Sequence, residues 1–319
     1  MSKNRNEWTL CLRSVSRRKL KRGRLLHSQR PSGVAQSIAQ AKAAYIRNNS
    51  RERTYIADKT FALTTGEKHH RDDKYKQFPD KEFFDKDIKS IEQASTEWEN
   101  AQGRIIQNKK IKFLKTHSCL GAYNNRPFTT SKQTLGGIYI VRDPRNIISS
   151  IKNHFSMSDD KAMEMILDEK RGLISDTGVY SSYSFISSWS NHYRSWVKSK
   201  QFRRLIIKYE DLLTNKYETF RDIIVFTNTL LNKTDGVNKK KLQKAIETTN
   251  FKILKNKEIN EGLDPSVTSF KKWRNIHKEN KNLFFNLGPE TDWKKMVDKN
   301  TTYKIEDKFK DEMKELGYI

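Results

Sequence analysis

Cysteine is almost missing from this chain of 319 residues, which has only Cys11 and Cys119. That excludes a disulfide scaffold and a four-cysteine zinc site. Apolar residues are few, at 35%, and no apolar run approaches the roughly 20 residues that span a bilayer. No short apolar stretch leads into a small-residue cleavage site, so secretion is not expected. No His, Cys and carboxylate cluster has metal-ligand spacing, and the Walker pattern G-x-x-x-x-G-K-[ST] is absent. The expectation is a soluble, reduced, cytoplasmic protein that needs no metal and has no membrane span.

What is abundant is positive charge. Lys and Arg number 63 against 38 Asp and Glu, a formal net charge of +25, which predicts an anionic partner: phosphate, sulfate, nucleic acid or an acidic membrane. With 16 Phe, 12 Tyr and 6 Trp, part of the chain must bury a core. The charge is uneven. Residues 1–57 hold 14 Lys and Arg against only Glu7 and Glu52, whereas 58–319 is nearer balance. That first segment has no sustained period of two or of 3.6, although residues 34–47 fit a short Ala-rich helix. Its excess of Arg and Ser over acids resembles an organellar transit peptide. Nucleic-acid binding by residues 1–57 is a further reading, against which the aromatic interleaving of a stacking platform is absent.

The text changes near Gln77, so residues 1–76 read as a basic, poorly specified segment and 77–319 as one domain. Short apolar runs at 111–115, 136–141 and 205–209 predict strands, and Gly136–Val141 is apolar enough to be buried on both faces. Helical patterns fill 144–155, 159–171, 180–198 and 211–231, with two more at 239–248 and 305–316. Strands separated by helices of this length predict βαβ crossovers and a mostly parallel sheet flanked by helices, an α/β fold.

Two segments suggest chemistry. The run Val141-Arg142-Asp143-Pro144 ends a strand and starts a helix, with Asp143 as N-cap and Pro144 at the first helical position. Arg142 is thereby delivered to a helix N-terminus, where free N–H groups favour anions and a guanidinium can grip a phosphate with two hydrogen bonds. The alternative is an Arg–Asp surface pair. In Leu114-Lys115-Thr116-His117, an extended chain puts Lys115 and His117 on one face. The imidazole suits proton removal from an acceptor hydroxyl at neutral pH, and the ammonium suits charge on a leaving phosphate. The alternative is a solvated Lys and a hydrogen-bonded His at a loop start.

The order of segments adds to this. Lys115-Thr116-His117, Arg142-Asp143-Pro144-Arg145-Asn146 with Ser150, Trp189, Lys208-Tyr209-Glu210-Asp211-Leu212, Thr249-Asn250-Phe251-Lys252, and Gly288 followed by Asp292-Trp293-Lys294-Lys295 together resemble the sulfotransferases that use 3′-phosphoadenosine 5′-phosphosulfate (PAPS). The resemblance implies a P-loop nucleotide-kinase-like sulfotransferase fold and transfer of a sulfuryl group from PAPS, the co-substrate, to a small-molecule hydroxyl or amine. It implies His117 as general base and Lys115 beside the transferring group. Arg142 and Ser150 match the pair that holds the 3′-phosphate, and Tyr209, Thr249 and Phe251 match positions around the adenosine. Tyr209 equally suits a core tyrosine. Glu210 and Asp211 read as helix caps, and Trp189, Tyr193 and Trp196 as packing.

Two departures stand out. The family's phosphosulfate loop, Y-P-K-S-G-T-T-W, has no counterpart beyond the Pro-Ser-Gly of residues 31–33. The family's R-K-G appears as Asn286-Leu287-Gly288, so Gly288 retains only a backbone contact and Arg142 or Arg145 takes more of the 3′-phosphate load. A preorganised donor is worth about 3–4 kcal/mol in such chemistry, so the missing loop admits a second reading. The chain is then a catalytically impaired relative that binds the adenosine bisphosphate or another anion without transfer. Alternatively the first 70 or so residues are a substituted stretch, which the change near Gln77 favours, or a cryptic segment replaces the loop. The acceptor and the oligomeric state are not encoded in these patterns.

Overall fold

A computed structural model describes residues 78–79, 81–106, 114, 116–176, 181–234, 236–248, 250–260 and 292–319. The basic segment 1–57, nearly all of the strand expected at 111–115, and the site candidates Lys115, Thr249 and Gly288 lie outside the described residues.

A 3-10 turn (Lys81–Phe83) precedes α1 (Ile91–Ile106) and a two-residue ladder of β1 (Ala122–Tyr123) with β2 (Arg126–Pro127). Next come β3 (Gly136–Val141), α2 (Pro144–Phe155), α3 (Asp159–Leu167), β4 (Gly172–Asp176), β5 (Ser181–Phe185), α4 (Trp189–Lys198) and β6 (Arg203–Lys208). The chain continues through α5 (Asp211–Thr214), α6 (Lys216–Leu230), α7 (Lys239–Thr248) and α8 (Phe251–Asn260), and ends with α9 (Trp293–Met296), α10 (Lys299–Lys308) and α11 (Lys310–Glu315).

The fold is α/β. Strands β3 and β6 pair in parallel from Gly136 opposite Arg203 to Val141 opposite Lys208, as the spacing of apolar runs predicts. Both faces of this pair are covered. Ile138, Ile140, Leu205 and Ile207 point to one side, into a cluster with Phe220, Ile223 and Leu242 of α6 and α7. Val141, Tyr139 and Ile206 point to the other, toward Ile148, Ile151, Trp189, Ile305 and Phe309. The period of two thus sorts the same strands into two cores. Tyr139 also touches a third cluster, built from Phe78, Trp98, Phe128 and Trp196. Strand β3 starts with glycine because α4 leans on it: a Cβ at Gly137 would lie 2.9 Å from Cζ3 of Trp196.

Four sequence expectations are corrected. Residues 180–198 are not one helix. Ser181–Phe185 is extended and pairs antiparallel with Gly172–Asp176, the chain turns at Ser187 with φ 62°, and Ser188 caps α4 by accepting the Asn191 N–H. Pairing with the segment just before it overrides the apparent helical period. The helix expected over 159–171 stops at Leu167: Asp168 turns extended and its side chain accepts the Lys170 N–H at 2.8 Å, a turn that leads into β4 at Gly172. The pattern 211–231 breaks at Asn215 into α5 and α6, and the final helix begins earlier, at Lys299, capped by Asp298 accepting the Thr301 N–H. Helices over 144–155 and 239–248 match their expected bounds.

Candidate functional site

The carboxyl ends of β3 and β6 lie side by side, because the Tyr209 N–H donates to the Val141 carbonyl at 2.7 Å and carries the parallel ladder one residue further. Ligands of open α/β sheets bind outside such strand ends. Here Arg142 follows β3 and Tyr209 follows β6. The expected cap forms: an Asp143 carboxylate oxygen accepts the Arg145 N–H at 2.9 Å, with Pro144 at the first helical position.

Three of the expected site residues meet at this point. An Nη1–H of Arg142 donates to Ser150 Oγ at 2.8 Å, two turns along α2. The guanidinium lies over the Tyr209 ring, 4.2 Å from Cζ to the centroid. The Arg142 Nε is buried and finds no hydrogen-bond partner among the described residues. Burial holds the Tyr209 phenol above its ordinary value, with Arg142 pulling it back down and Glu210 pushing it up. Tyr209, only 6% exposed, is a core residue and also the wall of this site. A buried donor without an acceptor costs about 1–3 kcal/mol, so the Arg142 Nε is the group that an incoming anion would satisfy.

Arg145 is committed to contacts within the fold, which corrects its expected part in the anion load. Its side chain pairs with Asp143 at 2.7 Å and with Glu306, and donates to the Tyr318 carbonyl at 2.9 Å. Its Cζ stacks 4.0 Å above the Trp293 ring. Burial alone would lower the Arg145 pKa, but Asp143 and Glu306 outweigh it and the net shift is upward. Arg145 therefore ties α2 to the C-terminal helices. Glu210 is corrected too. It sits at the start of α5 without a side-chain capping bond. Its carboxylate instead accepts the Asp143 N–H at 3.2 Å and the Tyr318 hydroxyl at 2.9 Å. Asn146 Oδ1 accepts the Trp293 N–H at 3.1 Å.

His117 belongs to a second group, hung from α4. Its carbonyl oxygen lies 3.2 Å from His192 Nε2. The Trp196 indole N–H donates to the Ser118 carbonyl at 3.2 Å, and the Leu120 N–H donates to Ser195 Oγ at 2.9 Å. Trp189, Tyr193 and Trp196 are buried, as packing residues are expected to be. Phe251 is half-buried at the start of α8. Cys119 is buried and its thiol is pushed up to about 12, which makes it a poor nucleophile. His192 was not among the sequence candidates. The only hint was its place in Trp189-x-x-His192, on the helix face that also carries Tyr193 and Trp196.

Among the described residues, no group of three or more His, Cys, Asp or Glu side chains is placed to hold a metal ion. No described helix is long and apolar enough to cross a membrane.

The Sulfotransferase domain model matches residues 54–317. The fold is similar to that of retinol dehydratase in complex with androsterone and the inactive cofactor PAP, at 21% identity over 64% of this chain and 54% of that one, TM-score 0.46. It is also similar to mouse sulfotransferase SULT7A1 complexed with PAP, at 20% identity over 66% of this chain and 69% of that one, TM-score 0.44. The chain thus spans little more than half of the retinol dehydratase chain. No curated protein matches it.

Proposed function

The chain belongs to the sulfotransferase-domain family, and we propose that it transfers a sulfuryl group from PAPS to a hydroxyl or amine of a small-molecule acceptor, in the cytoplasm. The observation that carries this reading is the Arg142 guanidinium, seated on Tyr209 and bonded to Ser150. It sits at the ends of two parallel strands with a buried N–H that no described residue accepts. A phosphate oxygen is the acceptor that completes such a fork.

In this reading Arg142 and Ser150 hold the 3′-phosphate. Tyr209, Thr249 and Phe251 surround the adenosine, and Gly288 adds a backbone contact. His117 takes the proton of the acceptor O–H or N–H. The acceptor atom then forms a bond to sulfur as the bond from sulfur to the 5′-phosphate oxygen breaks. Lys115 stabilises the charge that develops on the departing 3′,5′-adenosine bisphosphate. Transfer of this kind is mostly positioning plus charge stabilisation. Residues 77–319 form the transferase domain, and 1–76 a basic extension to it.

A second reading, binding without transfer, is favoured by the missing Y-P-K-S-G-T-T-W sequence. One experiment separates the two. Protein retained on immobilised 3′,5′-adenosine bisphosphate is supplied with 35S-labelled PAPS and a panel of phenols, alkyl alcohols and amines. Label in a product, lost in His117→Ala at unchanged Tm, supports transfer. Retention without label in any product supports the binder. Wild-type-like turnover by His117→Ala overturns the assignment of the base.

A further inference from the structure

His192 has no part in the chemistry above, yet both nitrogens of its ring are engaged. Nε2 lies 3.2 Å from the His117 carbonyl oxygen and Nδ1 lies 3.1 Å from the Tyr139 hydroxyl. A carbonyl oxygen can only accept. The proton therefore sits on Nε2, and Nδ1 accepts from the Tyr139 O–H. Tyr139 is held flat against α4, its ring 5.5 Å from His192 at an interplanar angle of 24° and 5.5 Å from Trp196 at 3°. Burial drives the His192 pKa down to about 4; the contact with the His117 carbonyl works against this, and the charge of Arg171 lowers it further. At neutral pH the ring is thus one neutral tautomer, fixed by a buried phenol on one side and aimed at main chain on the other.

The segment it holds is tied at each step. The Ser118 carbonyl accepts from Trp196, the Cys119 N–H donates to the Phe185 carbonyl at 2.8 Å, and the Leu120 N–H donates to Ser195. Three of these four ties come from one face of α4, at His192, Ser195 and Trp196. Of these four, the His192 tie falls on residue 117 itself.

We infer that His192 is a positioning residue for the reaction: its Nε2–H anchors the main chain of His117 and thereby places the His117 imidazole against the acceptor. This rests on the reading of His117 as the base. A ring that merely filled space between α4 and β3 would be replaceable by another ring of similar size. A ring that positions needs its donor.

The test compares His192→Phe, His192→Gln and Tyr139→Phe in the full chain, using 35S-labelled PAPS and whichever acceptor of the panel turns over fastest. Gln carries an N–H donor at nearly the reach of Nε2, whereas Phe carries none. His192→Phe is expected to lose about 10- to 100-fold in kcat, the scale of a misplaced catalytic group. KM for PAPS and affinity for the bisphosphate should hold, since the Arg142 site is untouched. His192→Gln should recover most of the rate. In a His117→Ala background, His192→Phe should cost nothing further, because the two act as one unit. Additive losses, or equal rates for the Phe and Gln variants, overturn the inference while leaving His117 as base intact. Wild-type turnover by His117→Ala overturns the base reading instead. Should His192→Phe fail to fold, Tyr139→Phe serves, with a smaller loss expected in kcat alone. Ring 15N NMR of the wild-type protein at pH 7 decides independently of turnover. A neutral His192 with Nε2 protonated supports the anchor, and an Nδ1–H tautomer or an imidazolium overturns it.

Discussion

The guanidinium of Arg142 lies 4.2 Å over the ring of Tyr209, so the charge that follows one strand rests on the aromatic group that follows its parallel neighbour. The contact with the ring and the bond to Ser150 restrain the fork. Together they leave the Nε–H facing a place where the described residues offer no acceptor. A preset fork loses less side-chain freedom when an anion arrives.

Arg142→Ala should therefore weaken binding of 3′,5′-adenosine bisphosphate by about 10- to 100-fold, the range for charge-assisted hydrogen bonds. Arg142→Lys should recover little, because an ammonium cannot present a planar fork. Titration calorimetry measures this; equal affinity of wild type and the Lys variant would remove the fork from the account.

Arg145→Met should behave in the opposite way. The variant strands the Asp143 carboxylate, whose side chain is only 6% exposed, and breaking one partner of a buried pair costs about 3–5 kcal/mol. The loss should appear in urea unfolding. Bisphosphate affinity, measured in a stabilising buffer where the variant is folded, should fall far less than for Arg142→Ala. A variant with wild-type stability would show that the ties to Glu306 and Tyr318 are dispensable.

Acid should destabilise the fold partly through His192. The unfolded chain binds a proton there below about pH 6.5, whereas the folded ring does so only near pH 4. The folded-state pKa is thus the lower one. Its stability contribution is full above about pH 6.5 and is lost as pH falls toward 4, since unfolding takes up a proton in that window. His192→Gln should flatten the fall in unfolding free energy between these values relative to wild type. An unchanged slope would mean that carboxylates alone account for it.

Gly137→Val should be destabilising by about 1–3 kcal/mol, the usual cost of overpacking. The new Cβ would crowd the Trp196 ring at 2.9 Å, and Trp196 also holds Tyr139 and the Ser118 carbonyl. Chemical denaturation should show the loss, and bisphosphate binding by the folded fraction should persist.

Local chemistry was open to sequence reading. The strand at 136–141, the Asp143 cap, Pro144 and the spacing of Arg142 from Ser150 all lie within 15 residues, where propensity and helical geometry decide the outcome. Parallel pairing of β3 with β6 followed from apolar runs joined by helices. The family resemblance then attached roles to Tyr209 and Phe251 that spacing alone did not supply.

Contacts between distant residues were not open in the same way. Arg142 and Arg145 look equivalent in the sequence. Glu306, 161 positions away, commits Arg145 to structure, while the Arg142 Nε meets no acceptor among the described residues. The helix expected at 180–198 gave way for a nearer reason, because Ser181–Phe185 pairs with the strand just before it, which the period of one segment does not report. His192 gained its meaning from a carbonyl 75 positions earlier and a hydroxyl 53 positions earlier. Sequence determined which residues carry charge, cap helices and alternate along strands, because those properties belong to a residue and its near neighbours. Tertiary structure decided that Arg145 is paired within the fold while the Arg142 Nε meets no acceptor among the described residues, because that depends on what the rest of the chain brings within hydrogen-bond reach.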